Sequence, residues 1–428
     1  MQTKTLSILP VLFAIAAGTM VPGSASFAAI HHASKPASNK KAVAAVNAQP
    51  PLAAQATLAG NPPALPAKAW LLMDFDSGEV LASANPDEAL PPASLTKMMT
   101  SYIVEQALRS GKLKQTDLVS VSENAWCRGS STESCMYLPL NSQATVIDIL
   151  RGIIIQSGND ASKAIAEHMA GTEEGFAKLM NAEAQRLGMT HTHFMNPTGL
   201  PDPQHKSSAR DLAILARAII HDSVDYYPIY AEREFKYNGI KQGNRNALLY
   251  TDPTVDGLKT GHTEAAGYCM IATAKRDFPN LGVGSTPGTR RLLAIVLGTT
   301  SDSARANESQ KLLNWGYTAF EAVKLFDAGQ TVVAPNVWKG KAATVKLGQL
   351  KAIVVAVPAG SASRLKTQVA RPDPLVAPFT KGQVIGSLKV TSGDNPAVVA
   401  EVPLLALEAV EEAGILGRAW DAVRLWIK

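Results

Sequence analysis

The sequence predicts an α/β (α+β) domain of helices packed on a sheet, then a small all-β domain and a C-terminal amphipathic helix. Three observations carry this expectation. Strand-like runs stand at both ends of residues 68–326 with helical periodicity between them, so the terminal strands must pair in one sheet. From 327 to 406, short apolar runs alternate with Gly, Pro and Asp turns, the texture of an all-β domain. At 415–428, apolar and charged side chains separate at the helical period.

The elements follow in order. Lys4 precedes an apolar run at 6–17, of signal-peptide size and shorter than the roughly 20 residues of a membrane span. Small residues up to Ala28 complete a signal peptide over 1–28, which implies export. Residues 29–67 are rich in Ala and Pro without apolar periodicity and read as a disordered linker. Strands are expected at 69–75 and 79–84, joined at Asp76-Ser77-Gly78. A helix from 94 to about 108 follows Leu90-Pro91-Pro92-Ala93 and stops at Gly111. Further helices are expected at 146–156, 159–169, 173–187 and 209–220. The period then changes, with strand-like runs at 257–259, 267–274 and 291–297. The connection 275–290 carries Pro and Gly and is long for a hairpin. A helix is expected over 307–326, then strands near 351–357, 384–390 and 397–402.

The formal charge of +5 has no concentrated basic block, so it reads as a weak preference for anionic surfaces and not as a nucleic-acid footprint. Cys127 and Cys135 are eight residues apart, a spacing that allows a bond closing a surface loop, with Cys269 left as a small buried residue. No Cys or His spacing suggests a metal, and no cofactor is expected. In the tail, 407–428, Ile415, Leu416, Ala419, Trp420, Val423, Trp426 and Ile427 fall on one helical face. Arg418, Asp421, Arg424 and Lys428 fall opposite, with Leu425 the misfit. Such a helix suits a membrane interface; the plainer alternative is a helix docked on the β domain.

Three short motifs carry chemistry. Ser94-Leu95-Thr96-Lys97 places a hydroxyl and an amine one helical turn apart at a helix start. The helix dipole and burial both disfavour a protonated Lys97, which then takes the serine proton. Ser38/Lys41 and Ser363/Lys366 share this spacing, but only Ser94 follows a helix-start signal and leads an apolar helix. Ser157-Gly158-Asn159 lies between two helical runs; its hydroxyl suits proton relay to a leaving amine, its amide suits a substrate amide, and a helix cap is the plainer reading. Lys259-Thr260-Gly261 ends or lies on a strand. There a lysine can hold a carboxylate or tune protons, Thr260 offers a hydroxyl, and Gly261 lets the backbone approach a ligand. The three stand in this order, 63 and then 102 residues apart.

On these motifs the sequence resembles the penicillin-binding protein and serine β-lactamase superfamily, and within it the low-molecular-mass D-Ala-D-Ala carboxypeptidases. The resemblance extends to Ser122-Glu123-Asn124-Ala125-Trp126, Thr192-His193-Phe194, Ser207-Ser208-Ala209-Arg210-Asp211, Asn244-Arg245-Asn246, Asp256 to Thr263, and Lys311-Leu312-Leu313-Asn314-Trp315-Gly316. It implies a penicillin-binding/β-lactamase-like domain, a helical cluster against an antiparallel sheet. It also implies acylation of Ser94 with Lys97 as base, and roles for Ser157, Asn159 and Lys259 in proton transfer and substrate binding. The N–H groups of Ser94 and His262 would form an oxyanion hole beside Thr260 and Gly261, and Arg245 and Arg305 would meet the substrate carboxylate. Implied partners are peptidoglycan stem peptides, β-lactams as inhibitors, and the outer face of the cytoplasmic membrane. The cysteine pair and the connection 275–290 depart from the family pattern.

A D,D-endopeptidase shares all three motifs. A class A β-lactamase would need a deacylating carboxylate in an E-x-x-L-N-like context between the second and third motifs, and none stands there. A wall-binding protein that has lost activity is the non-enzymatic alternative, at odds with intact motifs.

Overall fold

The computed structural model describes residues 60–128, 133–278, 288–393 and 398–427. The expected signal peptide and most of the linker lie outside the described residues. Within the linker, Leu65 and Ala67 pack against the core, so the ordered chain begins upstream of the expected start at 68.

β1 (Ala69–Asp74) and β2 (Val80–Ala84) form the first hairpin. The helical cluster follows: α1 (Lys97–Arg109), α2 (Val146–Arg151), α3 (Asn159–Ala170), α4 (Glu173–Leu187) and α5 (Ala209–Asp222). The hydroxyls of Thr145, Thr172 and Ser208 accept from backbone N–H groups in the first turns of α2, α4 and α5, as N-caps do. Three long strands then complete the sheet, β3 (Val255–Thr263), β4 (Gly267–Phe278) and β5 (Gly288–Thr299). Strand order is β2-β1-β5-β4-β3, antiparallel throughout, with Ala69 opposite Leu297. The two ends of the domain thus meet in one sheet.

Alternation places the two cores. Leu71, Met73, Ile271, Leu293 and Ile295 face the cluster of α1 to α5. Trp70, Leu72, Met270, Leu292 and Val296 face the other side, covered by α6 (Asp302–Ala319) through Leu312 and Leu313.

Three expectations are corrected. The connection 275–290 is strand at both its ends, 275–278 and 288–290, because Lys275 pairs with Arg291 and Phe278 with Gly288; residues 279–287 lie outside the described residues. The helix expected over 307–326 ends at Ala319. Residues Phe320–Phe326 are instead a strand, β6, whose pairing with β7 (Ile353–Pro358) overrides the local helical spacing. The tail expected from 407 becomes helical only at α7 (Ile415–Ile427), because Val410 and Glu412 first bridge to Phe379 and Gly340.

The remaining chain is all-β as expected. β8 (Leu365–Ala370), β9 (Val384–Ser392) and β10 (Val398–Ala406) dominate a five-stranded sheet over a separate core of Val355, Val357, Leu388, Val390 and Leu404. α7 docks through its polar side: Asp421 Oδ2 accepts from Lys339 N at 2.7 Å, and the Arg424 guanidinium lies 5.7 Å from the Trp338 ring centroid. Its apolar side, with Leu416 and Trp426 each 88% exposed, faces outward. Among the described residues no helix is long and apolar enough to cross a membrane.

Candidate active site

Ser94 lies in a 3-10 turn, Ala93–Thr96, that runs directly into α1, so the helix proper starts one turn later than expected. Ala93, at φ 49°, bends the chain immediately before it. Ser94 is half-buried, whereas Lys97 is buried. Lys97 Nζ lies 3.2 Å from Ser94 Oγ, and donates to Asn159 Oδ1 at 2.7 Å and to the Thr198 carbonyl at 2.6 Å. Burial, and then the Arg245 charge, lower its pKa to about 7 against opposing pulls from Asp160 and Glu133. Of the competing pairs, Ser363 sits in the turn Ala362–Arg364 and Lys366 on β8; Ser38 and Lys41 lie outside the described residues.

The second motif occupies the break between α2 and α3. A π turn, Gly152–Gln156, ends in Ser157 at φ 64°, and α3 starts at Asn159. Ser157 is buried, and among the described residues its hydroxyl has no hydrogen-bond partner. The segment after the cysteines is stitched to this break. Asp160 accepts from Met136 N at 2.8 Å and Leu138 N at 3.0 Å, and Asn159 N donates to the Ser134 carbonyl at 2.7 Å. Cys127 and Cys135 are disulfide-bonded, and Cys269 is free and buried.

The third motif lies on edge strand β3, which passes against the Ser94 turn. At Gly261 a Cβ would stand 3.2 Å from Ser94 N and 3.1 Å from the Pro92 carbonyl oxygen, so the close approach depends on glycine. Lys259 and Thr260 are buried. Burial, then the charges of Lys97, Arg245 and Arg305, hold the Lys259 amine well below the usual lysine range. Arg305 donates to the Gly261 carbonyl at 2.9 Å and pairs with Asp302. His262 stacks on Tyr268 with centroids 3.9 Å apart. The three motifs therefore converge, with the Arg245 charge acting on both Lys97 and Lys259 and the Arg305 charge on Lys259. A cleft of about 280 Å³ beside Ala93 runs between Pro92, Leu200, His205 and Thr263.

The family description D-alanyl-D-alanine carboxypeptidase matches residues 56–283, and that of the penicillin-binding protein 5 C-terminal domain matches 320–412. The chain belongs to the D-alanyl-D-alanine carboxypeptidase family. It is 44% identical to D-alanyl-D-alanine carboxypeptidase DacC of Escherichia coli over 368 residues, 85% of this chain and 89% of that protein. It is similar to the crystal structure of penicillin binding protein 5 from Haemophilus influenzae, with TM-score 0.74 and 41% identity over 82% of this chain and all of that one. Penicillin-Binding Protein D2 from Listeria monocytogenes, in an ampicillin-bound form, matches at TM-score 0.51 and 28% identity over 59% of this chain and 98% of that one.

For a member of this family, two groups at the site escape motif reading. One is the Thr198 carbonyl, fixed by a turn in which Asn196 Oδ1 accepts from Thr198 N and Gly199 N. Asn196 and Gly199 were the available signal, although a carbonyl carries no residue-type signature. The other is Glu133, whose carboxylate accepts from Asn159 Nδ2 at 3.0 Å.

Proposed function

We propose that this protein removes the terminal D-alanine from peptidoglycan pentapeptides through an acyl-enzyme on Ser94. The observation that carries the reading is the Lys97 amine, buried beside Ser94 Oγ and lowered to about 7, so that a large share is neutral near neutral pH. Neutral Lys97 takes the Ser94 proton as Oγ attacks the carbonyl of the penultimate D-alanine. The oxyanion is met by the N–H groups of Ser94 and His262. Ser157 relays the proton from Lys97 to the leaving amine as the C–N bond breaks, which leaves Lys97 neutral again. Water, deprotonated by the same base, then releases the shortened peptide. Arg245 and Arg305 supply the positive charge for the terminal carboxylate, Lys259, Thr260 and Gly261 line its site, and Asn159 holds the substrate amide.

Digestion of purified muropeptides tests this. Pentapeptides should lose one D-alanine, and Ser94→Ala should not cleave them; cleavage of cross-linked dimers with pentapeptides left intact would favour the endopeptidase alternative. β-lactams, as mimics of the terminal amide, should acylate Ser94. The ampicillin-bound Listeria relative supports that expectation.

The outward apolar side of α7 supports peripheral attachment to the outer face of the cytoplasmic membrane, after export directed by residues 1–28. A chain ending at Ala413 should lose sedimentation with membranes; equal sedimentation of both forms would refute the attachment.

A further inference from the structure

Glu133 lies outside every motif, yet its carboxylate reaches the active site. Its Oε2 accepts from Asn159 Nδ2 at 3.0 Å, while Asn159 Oδ1 accepts from Lys97 Nζ at 2.7 Å. The carboxamide is thus held at both ends. That matters because its two ends have nearly the same shape and opposite hydrogen-bonding character. Turned by half a rotation, it would aim N–H groups at the Lys97 amine and remove one acceptor from it. An acceptor on the far side of Asn159 fixes the productive orientation. One of the two Nδ2 hydrogens goes to Glu133, and the other stays for a substrate carbonyl.

The chain around Glu133 is itself held. Ser134 O accepts from Asn159 N, Met136 N and Leu138 N donate to Asp160, and Met136 O accepts from Gln242 Nε2 at 2.8 Å. The disulfide to Cys127 fastens Cys135, two residues beyond Glu133. Glu133 is half-buried, so its bond to Asn159 is partly shielded from competing water.

We propose that Glu133 is a positioning residue for the Lys97 base, acting through Asn159, and that the Cys127–Cys135 disulfide fastens the segment that presents it. The proposal rests on the reading of Ser94 as nucleophile and Lys97 as base.

The test measures the rate and the final extent of Ser94 acylation by a fluorescent penicillin in the full-length protein, Glu133→Gln and Glu133→Ala. Final extent counts folded sites, so the rate per site is separated from loss of fold. Glu133→Ala should acylate about tenfold more slowly, and Glu133→Gln, whose carbonyl still accepts from Asn159, should recover to within about threefold. Glu133→Ala at the unaltered rate would overturn the proposal, as would equal slowing of both variants. No label on Ser94 in the unaltered protein would instead overturn the nucleophile reading, and the Glu133 proposal with it.

Discussion

The Thr198 carbonyl oxygen lies 2.6 Å from Lys97 Nζ. A neutral amine has two hydrogens and one lone pair. Thr198 O and Asn159 Oδ1 take the two hydrogens, and the lone pair is left for the Ser94 hydroxyl. Burial makes the neutral form accessible. On the proposed mechanism, Lys97 would therefore be made a base by what surrounds it more than by its spacing from Ser94.

The first prediction concerns pH. Lys97, lowered to about 7, is active when neutral, so acylation falls as pH drops through that value. Stopped-flow acylation should be about tenfold slower at pH 6 than at pH 8. A flat profile between those values would contradict this assignment of the base.

A second prediction concerns Gly199. At φ 82° a Cβ there would stand 1.9 Å from the Ala93 carbonyl oxygen, next to Ser94. Gly199→Ala should slow acylation by roughly tenfold or more. Gly188 has a similar φ of 81° but nothing within 4 Å, at the end of α4. Gly188→Ala should cost about 1 kcal/mol of stability and leave the acylation rate unchanged.

The buried ion pair gives a third. Arg290 Nε meets Asp74 Oδ2 at 2.7 Å, and Arg290 Nη1 donates to the Phe320 carbonyl at 2.7 Å, tying β1 and β5 to the end of α6. Arg290→Met leaves a buried carboxylate without its cation, at a cost of about 3–5 kcal/mol. Urea unfolding should show the lower midpoint, with part of the loss restored by adding Asp74→Asn.

The fourth prediction concerns the disulfide. Replacing Cys127 and Cys135 by serine opens the loop in the unfolded chain and should lower stability by about 2–3 kcal/mol in urea unfolding. Acylation should slow as well, because Ser134 and Met136 hold the first turn of α3.

The sheet was legible because its residues alternate: Leu71 and Met73 face one core, Trp70 and Leu72 the other. The three motifs were legible because their chemistry requires particular side chains. Residues 320–326 were not, since their strand depends on pairing with Ile353–Pro358, which local periodicity does not encode. Thr198 acts through a backbone carbonyl, and Glu133, 26 residues before Asn159, becomes its neighbour only in the fold, so neither left a local pattern to read.

The most direct test of Ser94 as the nucleophile activated by Lys97 is stoichiometric labelling with a tagged penicillin, followed by mapping of the modified peptide. One label per protein on the peptide containing Ser94, abolished in Ser94→Ala, is the predicted result. Label on another residue, or undiminished labelling of Ser94→Ala, would contradict it.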